Sequence, residues 1–132
     1  MNTDSRTHTI VTRYVAVWSE PDPAARRAAI AELWAGDGVE FVEGVRFTGH
    51  EELDARIAEA YEAFVASGAY TVTRAEEVTE HDDVVIFTIQ LLHADGEDAG
   101  QVAWAARVFL VLNKEGLIRQ DYHLTVQPLP SE

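Results

Sequence analysis

Between Gln101 and Gln127 two long apolar runs flank the polar tetrapeptide Asn113-Lys114-Glu115-Gly116, and a β-hairpin accounts for both halves at once. The runs are rich in Val, Leu, Ile, Phe, Tyr and Trp, which fit a pleated surface better than a helix. Gly116 supplies the positive φ that a short hairpin loop needs. Strict alternation in the second run sets Arg119, Asp121 and His123 on one face and Ile118, Gln120, Tyr122 and Leu124 on the other. A solvated sheet face is the plain reading of three such ionisable residues, since antiparallel sheets commonly expose one side.

The remaining sequence supplies helices to cover the other side. Apolar residues at Ile10, Val11, Tyr14, Val17 and Trp18 gather on one side of a helix from His8 to Trp18. Glu20-Pro21-Asp22-Pro23 breaks it and starts a second, with Asp22 as N-cap and Pro23 at the first helical position. This helix buries Ile30, Leu33 and Trp34 and stops near Gly36-Asp37-Gly38. Val39 to Phe47 alternates like a short strand pair bent at Gly44. Thr48 and Glu51 have capping-box spacing, and the third helix carries Leu53, Ile57, Tyr61 and Phe64 on one side before Ser67-Gly68 ends it. Beyond Gly68 the runs Tyr70–Val78, Val84–His93, Val102–Leu112 and Leu117–Val126 read as strands. Helices followed by a strand meander make an α+β pattern, expected to form a single domain over 1–132.

Charge and composition remove several functions. There are 23 acidic residues against 10 basic ones, a net charge of −13, whereas nucleic acid and anionic membranes need clustered Lys and Arg. Neither is expected as a partner. Without cysteine there is no disulfide, thiolate nucleophile or thiolate metal site. The first fifteen residues lack a basic start and an unbroken apolar core, so no secretory leader is predicted, and no run approaches the ~20 apolar residues of a membrane span. A soluble, cytoplasmic protein is the expectation.

Four strings, RYVAVW (Arg13 to Trp18), ELWAGDGVEFVEG (Glu32 to Gly44), TGHEEL (Thr48 to Leu53) and GLIRQDYHL (Gly116 to Leu124), resemble in order and separation the nuclear transport factor 2-like superfamily, in particular its SnoaL-like branch. The resemblance implies a cone-shaped, strongly curved antiparallel sheet wrapped around the N-terminal helices, with an apolar pocket inside. Tyr14 matches the tyrosine of the ketosteroid isomerase first helix that donates to a substrate oxyanion, and Glu43 falls near that enzyme's base. Its second oxyanion acid has no counterpart, since Arg107 and Val108 stand there. Asp121 matches the acid/base aspartate on the last strand of SnoaL-like polyketide cyclases, and also the last aspartate of limonene epoxide hydrolase, whose other two positions fall near Thr88 and Gln90.

The resemblance turns Asp121 inward, and His123 follows by parity, their Cα atoms about 6.6 Å apart. With Leu112 paired to Leu117, Asp121 lies opposite Val108 and His123 opposite Ala106, with Trp104 and Leu110 on the same wall. Asp121 is then a desolvated acid with no fixed cation. A slip of one residue, pairing Asn113 with Leu117, brings Arg107 and Phe109 to that face instead, and Arg107 holds Asp121 ionised. The first register is the expectation. The catalytic candidates are therefore Asp121, His123 and Tyr14, and the ligand-binding candidates Trp18, Glu43, Phe64, Trp104, Val108 and Leu110. The ligand expected is a small apolar or aromatic organic molecule bearing oxygen, transformed by proton transfer in an isomerisation, dehydration or cyclisation. A ligand-binding or dimerisation module without catalysis is the alternative. No cofactor is expected, and the scattered His8, His50, His81 and His93 have no metal-ligand spacing. Apolar groups such as Phe109 and Val111 on the outer sheet face imply a homodimer.

Overall fold

The computed structural model describes residues 2–129, with side chains over 6–129. Its elements are helices α1 (Asn2–Val17), α2 (Pro23–Leu33) and α3 (Gly49–Ala60), and strands β1 (Trp34–Val42), β2 (Val45–Thr48), β3 (Tyr70–His81), β4 (Val84–His93), β5 (Val102–Leu112) and β6 (Ile118–Gln127). One sheet holds all six strands in the order β2-β1-β6-β5-β4-β3. This is the α+β cone expected from the sequence, with one difference. β1 pairs with β6 in parallel, so the sheet is mixed, because the chain leaves α2 and runs directly alongside the last strand.

The helices form largely where periodicity put them. Val11, Tyr14, Val17 and Trp18 of the first helical segment are buried, as are Leu53 and Ile57 of α3. Tyr61 is only half-buried and lies under the Arg26 guanidinium, 5.0 Å from its ring centre. Asp22 caps α2 by accepting from the N–H of Ala25 at 3.1 Å. The second helix ends earlier than expected: Trp34 is already extended, and the strand continues through Gly36-Asp37-Gly38, with an irregularity in its pairing to β6 between Trp34 and Val39. Close packing explains Gly38, since a Cβ there would come 2.8 Å from Trp34 Cδ1 and 2.9 Å from the Ile118 carbonyl oxygen. At α3 the capping partner is Glu52, which accepts from the Thr48 N–H at 2.7 Å, and the Thr48 hydroxyl makes no cap. The helix then closes in a π turn, Tyr61–Val65, with Ala66 N–H donating to the Tyr61 carbonyl at 2.8 Å.

The hairpin register combines the two sequence alternatives. Asn113 N–H donates to the Leu117 carbonyl and Leu112 pairs with Ile118, as in the slipped register. Arg119 is then left unpaired in a bulge, and from Val111↔Gln120 onward the parity changes. Asp121 consequently faces Leu110, and His123 faces Val108, two positions along from the expected partners but with the same inward face. Arg107, opposite Leu124, points to the outer face and donates to Thr88. Arg119 is exposed, while Ile118 joins Asp121 and His123 inside. Further irregularities between Ala105 and Ala106 and between Arg74 and Val78 bend the sheet over the helices. Among the described residues no helix is long and apolar enough to cross a membrane.

The Gly38 contact yields a test. Gly38→Ala should lower stability by roughly 1–3 kcal/mol through overpacking against backbone. Gly36→Ala, where nothing lies within 4 Å of the added carbon, should stay within about 0.5 kcal/mol. Urea denaturation of both variants measures the difference.

Candidate functional site

Two rows of the sheet converge on the site. Glu40, Asp121, Leu110 and Val85 lie side by side across β1, β6, β5 and β4, and in the next inward row His123 pairs with Val108 and Val108 with Phe87. Helix α1 lays Tyr14 over them, its ring 5.5 Å from those of Trp34 and Phe87. Tyr14, Glu40 and Asp121 have no exposed surface, and His123 almost none.

Tyr14 Oη donates to Asp121 Oδ2 at 2.6 Å. With its only proton given there, Oη meets His123 Nε2 as an acceptor at 2.5 Å, which fixes a proton on Nε2. Asp121 Oδ1 stands 3.2 Å and Glu40 Oε2 3.4 Å from the same nitrogen. Arg56 of α3 closes the network, its Nε and Nη2 donating to Glu40 at 3.2 and 3.5 Å. Asp121 is therefore not the isolated acid that the sequence suggested. Its partners are Tyr14 and His123 rather than Arg107.

Burial by itself would drive the His123 pKa down, but the Asp121 carboxylate, seconded by Glu40, outweighs it and the value is raised. Glu40 is also raised, chiefly by burial and in part by Asp121, against the opposing charges of His123 and Arg56. Burial, then Asp121 and Glu40, push the Tyr14 phenol well above its ordinary value, which keeps it a donor.

A partly open cavity of about 140 Å³ adjoins this cluster. Phe64 and Val65 from the π turn, Val72, Ile89, Leu91 and Trp104 give it apolar walls, and Trp18, Arg56 and His123 form its polar end. The two carboxylates are sealed behind them. His123 Nδ1 and Trp18 Nε1 are buried with no hydrogen-bond partner, and Arg56 Nη1 has no protein acceptor among the described residues. Trp18 is packed between the two, its ring 5.2 Å from the Arg56 guanidinium carbon and 5.8 Å from the His123 ring.

Of the residues nominated from sequence, Tyr14, Asp121 and His123 come together, and Trp18, Phe64 and Trp104 line the cavity. Val108 and Leu110 are fully buried beside His123 and Asp121, behind the cavity wall. Glu43 is not in the site: it sits at φ 51° in the exposed β1–β2 turn, where it accepts from the Thr125 hydroxyl at 2.6 Å. Glu40 and Arg56 were not nominated. Glu40 sits among apolar Val39, Phe41 and Val42, and that isolation was the available signal. Glu40, Asp121 and His123 also bring ligand atoms within 4.8 Å of one another, a set able to chelate a divalent cation. Its atoms are already engaged, Glu40 by Arg56 and Nε2 by Tyr14.

No protein-family model matches this sequence, and none of the curated proteins does. Solved structures do match. A candidate isomerase of the SnoaL-like family from Agrobacterium tumefaciens superposes with a TM-score of 0.79 at 24% identity, covering 92% of this chain and 97% of that one. A candidate polyketide cyclase from Sinorhizobium meliloti gives 0.64 at 19% identity over 87% and 93% of the two chains. A protein of ketosteroid isomerase-like fold from Catenulispora acidiphila, solved with trimethylamine, gives 0.63 at 22% over 86% and 82%.

The raised His123 pKa predicts a pH dependence. A raised folded value means that the stability His123 contributes is complete below its unfolded pKa of 6.5 and is lost as pH rises through the folded value. Raised Glu40 acts in the same direction from its ordinary 4.5 upward. The urea midpoint should therefore fall between pH 6 and pH 9, and His123→Gln should remove most of that fall.

Proposed function

We propose that this chain, whose fold is that of the SnoaL-like and ketosteroid isomerase-like proteins, binds a small apolar, oxygen-bearing molecule in its cavity and moves a proton on it through His123. The supporting observation is that His123 alone of the ionisable trio Glu40, Asp121 and His123 lines the cavity, and that its Nδ1 has no partner. In the neutral ring Nε2 holds the proton against Tyr14, so Nδ1 is the basic nitrogen. It takes a proton from a carbon next to a carbonyl, and Asp121 with Glu40 stabilises the imidazolium that forms. Return of the proton to a second carbon gives an isomerisation. Asp121 acts in this scheme as the charge that holds and tunes His123, with Tyr14 as the link between them.

The test follows hydrogen–deuterium exchange at the α-carbons of small ketones in D₂O by NMR. Exchange should rise with pH through the His123 pKa and then level off, because the neutral ring is the base. His123→Gln should slow it by about 10²-fold or more. Asp121→Asn should slow it too, and should destabilise the fold at neutral pH by roughly 1–3 kcal/mol, since Tyr14 and His123 lose a charged acceptor. Exchange no faster than in these variants would leave a binding module without catalysis.

We also propose a homodimer formed through the outer sheet face. Phe41, Tyr122, Phe109 and Ile86 make a half-buried row across β1, β6, β5 and β4, with the Phe41 and Tyr122 rings stacked 4.7 Å apart. Leu124 and Val126 extend it and are more than half exposed. Light scattering at micromolar concentration should give twice the chain mass of 14.6 kDa, and Phe109→Lys should return it to a single chain mass.

A further inference from the structure

The cavity is open on one side, and burial along its wall marks that side. Trp18, Ile89, Leu91 and His123 are each more than nine-tenths buried, whereas Phe64, Val65, Val72, Trp104 and Leu129 are only half-buried and form the mouth. Four of these five stand on the π turn, β3 and β5, which helical or ladder hydrogen bonds hold in place. Leu129 does not. It lies two residues beyond β6, and neither it nor Pro128 makes a hydrogen bond among the described residues. Gln127 and Pro128 before it are exposed, so the chain leaves the sheet into solvent and returns to the cavity at this one apolar residue.

A bulge sets the exit. β6 pairs Thr125 with Ala106 and Gln127 with Ala105, which leaves Val126 unpaired. The extra residue bends the strand end and brings Gln127 opposite the neighbour of Trp104, at the rim. Gln127 Nε2 then donates to the Val102 carbonyl at 2.9 Å. We infer that Gln127 to Leu129 is a strap across the cavity mouth, with Leu129 as its plug and the Gln127 side chain as its latch, and that release of the strap admits the ligand. This rests on the cavity being the ligand site proposed above and adds how access to it is controlled. An exposed side-chain hydrogen bond and one half-buried Leu hold weakly, so the segment opens without disturbing the ladder that precedes it. Pro128 confines the opening, because it has no N–H with which to continue pairing to β5.

Quenching of tryptophan fluorescence by acrylamide, a small neutral molecule, measures access with no ligand present. Trp18 and Trp104 line the cavity, while Trp34 is fully buried in the core. Ending the chain after Gln127 should raise the quenching constant by about twofold, and Leu129→Ala by nearly as much. Gln127→Ala should give a smaller rise. Val126→Ala, a neighbouring residue that is 61% exposed on the outer face, should give none. The urea midpoints of the three substituted chains should match that of the unaltered one, which separates release of the strap from loosening of the fold. No rise in the shortened chain or in Leu129→Ala, a Gln127→Ala value equal to that of the unaltered chain, a comparable rise in Val126→Ala, or a rise that comes only with a lowered urea midpoint would each overturn the inference. The expected pattern with no α-carbon exchange in small ketones upholds the strap and refutes the proton-transfer reading. Exchange with no rise in quenching does the reverse.

Discussion

Glu40, Asp121, His123 and Tyr14 are buried and take their hydrogen bonds and ion pairs from one another and from Arg56. A buried charge left without a partner costs several kcal/mol, so this cluster holds together or fails together. Its members come from α1, α3, β1 and β6, which makes it the joint between the helical layer and the sheet. The parallel β1–β6 pair sets Glu40 beside Asp121, two acids as lateral neighbours. Arg56 and a protonated His123 oppose that repulsion, and the two acids together raise the His123 pKa against the effect of burial.

Function follows from which side of this joint meets the cavity. The acids lie behind, and Trp18, Arg56 and His123 lie in front. The cavity therefore has Trp18, Arg56 and His123 at one end of otherwise apolar walls, although the chain as a whole carries a net charge of −13. Net charge describes the outer surface and its solubility, whereas the local field in the cavity is fixed by a few buried neighbours. The π turn of Tyr61–Val65 belongs to the same design, since Phe64 and Val65 reach the cavity from it.

Much of the fold could be read from apolar spacing. The strands after Gly68 lie within a few residues of their expected limits, and Asp22-Pro23 starts α2 where capping chemistry requires. Apolar periodicity reports which face is dry, and that is a local property of the chain. The pairing of Asp121 with His123 on one face was equally local, being two residues apart on a strand. Tyr14 entered through a resemblance of its helix string, not through any spacing.

What lay beyond reading was set by long-range pairing. Arg119 shows the limit: strict alternation placed it beside Asp121, and a bulge opposite the Val111–Leu112 step turned it out to solvent and brought Ile118 in. A bulge is a compromise between turn geometry at Asn113–Gly116 and burial at Asp121, and neither requirement alone reveals it. Glu40 shows the same in β1. Its strand offers apolar residues on both faces, so periodicity cannot say which face is inside, and only the parallel partnership with β6 turns Glu40 toward Asp121. Local pattern thus determined the elements and the Asp121–His123 pair. The tertiary structure decided the company they keep, because a buried charge is defined by partners that the chain brings from far along its length.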